Sequence, residues 1–150
     1  MTLAQFVNCV CRHLEMPSLT PAPSTNVYSL IIDQKWDVSF YLKQKYIYIS
    51  GKLGGVLYKK EAKDNNLIQK LLQFNLTRLQ ESDEILSFDE KTHQLILRKA
   101  LNASEISEHN VSEYFEDFLN TLEIWDKLFF SGDASITSSD YDIPFQGIRM

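Results

Sequence analysis

Apolar residues recur every three or four positions at the start of the chain, at Leu3, Phe6, Val7, Val10 and Leu14, which is one stripe of a helix. Thr2 and Gln5 stand at capping-box spacing, so the helix is predicted to begin at Thr2. It is predicted to end at Met16-Pro17, because the residue before a proline avoids the α region. The proline-rich stretch PSLTPAPSTN that follows reads as a loop. The period then changes to two over VYSLIID (Val27–Asp33), WDVSFYL (Trp36–Leu42) and YIYIS (Tyr46–Ser50). In the second run Trp36, Val38, Phe40 and Leu42 face one side, and Asp37, Ser39 and Tyr41 the other. The short connections DQ and KQK predict an antiparallel meander, with Gly51, Gly54 and Gly55 marking its exit.

Helical spacing returns from about Asn65 to Leu79, with an apolar arc wider than one core needs. Leu67, Leu71 and Phe74 make one stripe, Ile68, Leu72 and Leu79 a second, and Leu76 lies nearby. Burial on two sides and deep burial in one core both fit this arc. A hairpin follows, with Leu86 and Phe88 on one strand, a turn over Asp89–His93, and Leu95 and Leu97 returning. The clearest helix spans about Val111–Phe129, with Val111, Phe115, Phe118, Leu122, Trp125 and Phe129 on its stripe and Asn110 and Glu113 as N-cap and N3 partners. Glu113, Glu116, Asp117, Glu123 and Asp126 fall outside that stripe. The order α-βββ-α-ββ-α predicts an α+β sandwich, a twisted antiparallel sheet packed by helices. One domain is expected over residues 1–130 and a flexible C-terminal tail over 131–150.

Charge changes the picture of partners. Residues 1–102 carry 13 basic and 10 acidic side chains, and residues 103–150 carry 2 basic and 10 acidic ones. A net charge of -5 with an acidic last third repels phosphate and argues against nucleic acid. No run approaches the ~20 apolar residues that span a bilayer. MTLAQFVNCVCRHLEMP lacks the basic and long apolar regions of a signal peptide, and Cys9 and Cys11 face different directions on one helix, which suits a reducing, cytoplasmic setting. In that setting the Asn-x-Ser/Thr matches at Asn75, Asn102 and Asn110 carry no meaning.

Candidate chemistry is sparse. Cys9 and His13 are four residues apart on one helix face, but two ligands do not make a metal site. GKLGG (Gly51–Gly55) lacks the order of a P-loop and reads as a strand exit. Lys52, Lys59, Lys60 and Lys63 read as a solvated basic cluster. The carboxylates of the last helix lack the apolar surroundings that raise a pKa for acid catalysis. No catalytic residue, cofactor or metal is expected.

LAQFVNCVCRHLEMP as first helix, VYSLIIDQKWDVSFYLKQKYIYISGKL as meander, NNLIQKLLQFNL as middle helix and YFEDFLNTLEIWDKLF as last helix together resemble the class I chaperones of bacterial type III secretion, the Tir-chaperone-like family. The resemblance covers roughly Thr2 to Phe130. The family's strand turns often carry a glycine where this chain has DQKW, and the proline-containing loop and the tail after Ser131 are extensions of the pattern. The resemblance implies a cytoplasmic bacterial homodimer that binds an N-terminal segment of a secreted effector in extended form and keeps it soluble and fit for export. It implies a dimer contact built from the middle helix and nearby strands, with Leu67, Ile68, Leu71, Leu72, Phe74 and Leu76 on the helix. It places effector contacts on the first helix and the sheet, at Phe6, Val10, Ile31, Tyr41, Tyr46 and Tyr48, with Leu30, Ile32, Val38 and Phe40 also candidates. Of these, Leu30, Val38 and Phe40 read better as core. A component of the secretion apparatus is a further candidate partner. The competing readings are a non-enzymatic dimeric adaptor for a folded protein and a small enzyme with a deep pocket lined by His13, Cys9 or a carboxylate pair.

Overall fold

The computed structural model describes residues 1–53, 69, 73, 75, 76, 84–89, 91 and 94–130, the last three by backbone alone. Helix α1 spans Leu3–His13 and begins as its sequence dictates. The Thr2 hydroxyl accepts the Gln5 N–H (3.1 Å) and the Gln5 carboxamide accepts the Thr2 N–H (2.9 Å), which satisfies two donors at the helix start. Its end is not set by proline. Glu15 turns into the left-handed region (φ 55°), so that its N–H reaches Arg12 C=O (3.2 Å) and the Met16 N–H reaches Cys11 C=O (3.0 Å). This is a Schellman cap closed on a residue other than glycine.

Five strands follow among the described residues: β1 (Tyr28–Ile32), β2 (Trp36–Lys43), β3 (Tyr46–Lys52), β4 (Glu84–Asp89) and β5 (Gln94–Asn102). They form one antiparallel sheet in the order β1-β2-β3-β5-β4. The meander and the hairpin are thus joined by β3 against β5, from Tyr46↔Asn102 to Lys52↔Ile96. The β1–β2 turn places Asp33 and Gln34 at φ 53° and 56°, and the β2–β3 turn places Gln44 at φ 56°. Backbone of this kind follows strand twist in hairpins, and here it is adopted without glycine. Gly51 lies inside β3, between Val38 on β2 and Leu97 on β5, not at an exit from the sheet.

Because side chains alternate, one face of the sheet carries Leu30, Ile32, Val38, Phe40, Ile47, Ile49, Leu86, Leu95, Leu97 and Leu101, all buried. Leu42 falls in the same phase but lies at the strand end and is exposed. Helix α1 and helix α2 (Val111–Phe130) cover this face. Phe6, Phe40 and Phe115 connect the three layers, with centroids 6.0 and 5.9 Å apart. Val111, Phe115, Phe118, Leu122 and Trp125 are buried along α2, as their spacing predicts. Each such side chain contributes about 1.5–3 kcal/mol by leaving water.

Among the described residues two carboxylates, Glu84 and Asp126, are buried at this core. Glu84 and Lys99 face each other across β4 and β5 on the helix side (3.7 Å), and Lys99 Nζ lies 5.6 Å from the Tyr114 ring centroid. Asp126 is also buried, contrary to its expected place outside the stripe, and pairs with Lys35 of the β1–β2 turn at 2.9 Å. The Asn110 side chain accepts the Ser107 N–H (2.9 Å) and so closes the loop before α2, where a cap to Glu113 was expected. Of the helix expected over residues 65–79, the described positions Gln69, Gln73, Asn75 and Leu76 are helical. The rest of that segment, and the segment 131–150, lie outside the described residues. Among the described residues no helix is long and apolar enough to cross a membrane.

Candidate functional site: the outer sheet face and the β1 edge

The strand alternation that fills the core puts a second set of residues on the opposite face. Among the described residues no helix packs there. Tyr41 pairs with Tyr48 across β2 and β3, and Tyr48 pairs in turn with Ala100 on β5. The Tyr41 and Tyr48 rings stack at 5.1 Å with planes 12° apart, and Tyr46 tilts against Tyr48 at 6.4 Å. Ala100 leaves the rings room to lie along the sheet. Cross-strand aromatic pairs of this kind contribute about 0.2–1 kcal/mol each.

The three tyrosines form a half-buried platform. Burial pushes the Tyr41 hydroxyl above its ordinary pKa; the Arg98 charge pulls it partly back and Tyr48 adds to the rise. Toward β1 the surface becomes more open. Ile31, opposite Asp37, is 70% exposed. Ser29 and Ser39 place hydroxyls 3.3 Å apart beside it, and Lys52 pairs with Asp37 at 3.3 Å. Among the described residues β1 is the outer strand on this side of the sheet and pairs with β2 alone. An outer strand presents unpaired N–H and C=O groups to an incoming extended segment.

The expected effector contacts therefore divide. Ile31, Tyr41, Tyr46 and Tyr48 share one outer face. Phe6 and Val10 do not, being fully buried between α1, the sheet and α2. Their stripe is the core stripe of α1, so they support the fold and offer a partner no surface. Leu30, Ile32, Val38 and Phe40 are core as well. Of the expected dimer contacts, Leu76 is 71% exposed on its helix, and Leu67, Ile68, Leu71, Leu72 and Phe74 lie outside the described residues. Ile85, 50% exposed and paired with Arg98, was missed by the sequence reading. The strand phase of EILSFD already opposes Ile85 to Leu86, but only the sheet order shows which face is covered.

The residues once considered for chemistry are otherwise engaged. Cys9 is buried and accepts a hydrogen bond from Arg12 Nη2 (3.2 Å). His13 Nε2 meets Glu116 Oε1 at 2.6 Å and ties the end of α1 to α2. Both line a shallow cleft of about 360 Å³ with Arg12, Glu108, His109 and Ser112. Among the described residues no three His, Cys, Asp or Glu side chains are grouped to hold a metal ion.

This fold and its sequence have known counterparts. The chain is similar to structures in the crystal structure of the ExsC–ExsE complex (18% identity, TM-score 0.70, covering 86% of this chain and 97% of that one). It is similar to one in the HopA1–SchA chaperone–effector complex (20% identity, TM-score 0.64, 83% and 90%). A third likeness is to a structure of the Yersinia pestis type III secretion chaperone SycH in complex with a stable fragment of YscM2 (15% identity, TM-score 0.59, 81% and 97%). At these identities the likeness is one of fold. No curated protein sequence matches the chain significantly. The profile of the Tir chaperone protein (CesT) family, however, matches residues 5–126, from within α1 to the buried Asp126, and with the helix–sheet–helix packing described above it places the chain in that family.

Proposed function

We propose that this protein is a bacterial type III secretion chaperone that holds the N-terminal chaperone-binding segment of an effector in extended form. It works by binding, in the cytoplasm, before export. The observation that carries this reading is the pairing of an open outer strand, β1, with the uncovered face of Ile31, Tyr41, Tyr46 and Tyr48. An extended segment gains main-chain hydrogen bonds at a strand edge, and its alternate side chains settle on the neighbouring apolar surface. Ordering a disordered segment costs about 2–5 kcal/mol, so one edge is not enough and a large contact is required. Two copies of the chain supply it. We place the copy-to-copy contact on the middle helix, at Leu67, Ile68, Leu71, Leu72, Phe74 and Leu76.

The test is to isolate the chain with its bound protein, identify that protein by mass, and digest the complex with protease. The expected result is that the bound protein is trimmed to a protected N-terminal segment without a compact core. A bound protein that stays folded and intact would instead make the chain an adaptor. Light scattering should give twice the chain mass, and Leu71→Asp should halve it.

A further inference from the structure

The two outer strands of the sheet are treated differently. Among the described residues β4 pairs with β5, from Glu84↔Lys99 to Asp89↔Gln94, and is the last strand of the sheet on that side. At the centre of that edge the Asn75 carboxamide meets the Leu86 peptide. The Leu86 N–H donates to Asn75 Oδ1 (2.9 Å), and Asn75 Nδ2 donates to the Leu86 C=O (2.6 Å). A carboxamide carries one acceptor and donors side by side, which is what a peptide unit of an added strand would present at the same place. Asn75 thus fills the position of one residue of a sixth strand. It is helical itself, so its own backbone does not continue the β ladder. No comparable side-chain pair is seen on β1 among the described residues.

We propose that Asn75 is an edge lock. It denies the centre of β4 to a strand from a second copy of the chain, and so leaves β1 as the edge open to an added strand. The statement about β1 rests on the strand-addition reading above; the statement about β4 does not. An unblocked edge is a template for strand pairing between identical chains, and Ile85 adds exposed apolar surface along this one.

The test uses the full chain without any client. In Asn75→Ala the Leu86 amide should lose at least ten-fold of its protection from hydrogen exchange. Light scattering should then show species larger than those of the parent as concentration rises. Asn75→Asp keeps an acceptor for the Leu86 N–H but turns a carboxylate toward the Leu86 C=O, so it should also self-associate. It serves if the alanine variant does not fold. Adding Ile85→Lys to either variant, which puts a charge on the opened edge, should return the parent's mass distribution without restoring stability. A purely structural role would lower stability in both variants and change no mass. An exposed Leu86 amide with a parent-like mass distribution, or an unchanged Leu86 amide, would overturn the proposal. In a separate co-purification, if both variants self-associate while Ile31→Asp still retains the protein that co-purifies with the parent chain, the strand-addition reading fails and the lock stands.

Discussion

Lys35 Nζ lies 2.9 Å from Asp126 Oδ2, joining the β1–β2 turn to the end of α2. The carboxylate is 8% exposed and the ammonium 54%, so one partner is buried and the other reaches in from solvent. The same ammonium lies 4.9 Å from the centroid of the Trp36 ring, whose buried Nε1 has no partner among the described residues. The pair holds the strand that offers its edge against the helix that covers the core.

Lys35→Met takes from the buried Asp126 one of its partners. Breaking a fully buried pair costs about 3–5 kcal/mol, and a half-exposed partner lowers that, so about 1–2 kcal/mol is expected. Urea unfolding of Lys35→Met, Asp126→Asn and the double variant should show the two effects to be non-additive.

Gly51 marks a close approach. A Cβ there would sit 3.0 Å from Leu122 Cδ1 and 3.2 Å from Phe118 Cζ, and both side chains are fully buried. Gly51→Ala should destabilise by about 1–3 kcal/mol through overpacking. Leu122→Val in the same chain should recover part of the loss, which would place the strain at this contact.

Glu15 closes the α1 cap at φ 55°. An L-residue in that region costs about 1–2 kcal/mol relative to ordinary backbone, and glycine has no such cost. Glu15→Gly should therefore raise stability by about 0.5–1 kcal/mol in thermal unfolding, with the gain reduced by the greater freedom of glycine in the unfolded chain.

Tyr41 gives the protein an alkaline limb. Its folded pKa is raised above the ordinary value of 10.0, chiefly by burial. Above pH 10 the unfolded chain loses this proton while the folded chain keeps it, so stability falls as pH rises through that range. Tyr41→Phe should flatten the fall measured by urea unfolding between about pH 9 and 11. A client covering the platform should delay the phenolate absorbance further.

The elements and their inward residues were legible in the sequence because they depend on local chemistry. Thr2 and Gln5 cap α1 through bonds between neighbours, and Phe115, Phe118 and Leu122 are buried because their spacing matches a helical turn. The alternation of Tyr41 and Tyr48 against Phe40 and Ile49 separated the two strand faces. The rest depends on what packs against each face, which no local pattern encodes. Phe6 and Val10 share one apolar stripe whether it meets a partner or its own sheet, and only the packing of α1 made them core. Asp126 looked like a solvated carboxylate until the sheet brought Lys35 beside it from 91 positions away. The pairing of β3 with β5 made one sheet of two motifs, and the meeting of Asn75 with Leu86 made one of its edges unlike the other. Local pattern settles which residues seek burial; which surfaces are left over depends on long-range contacts between elements, because only these cover one side of each and not the other.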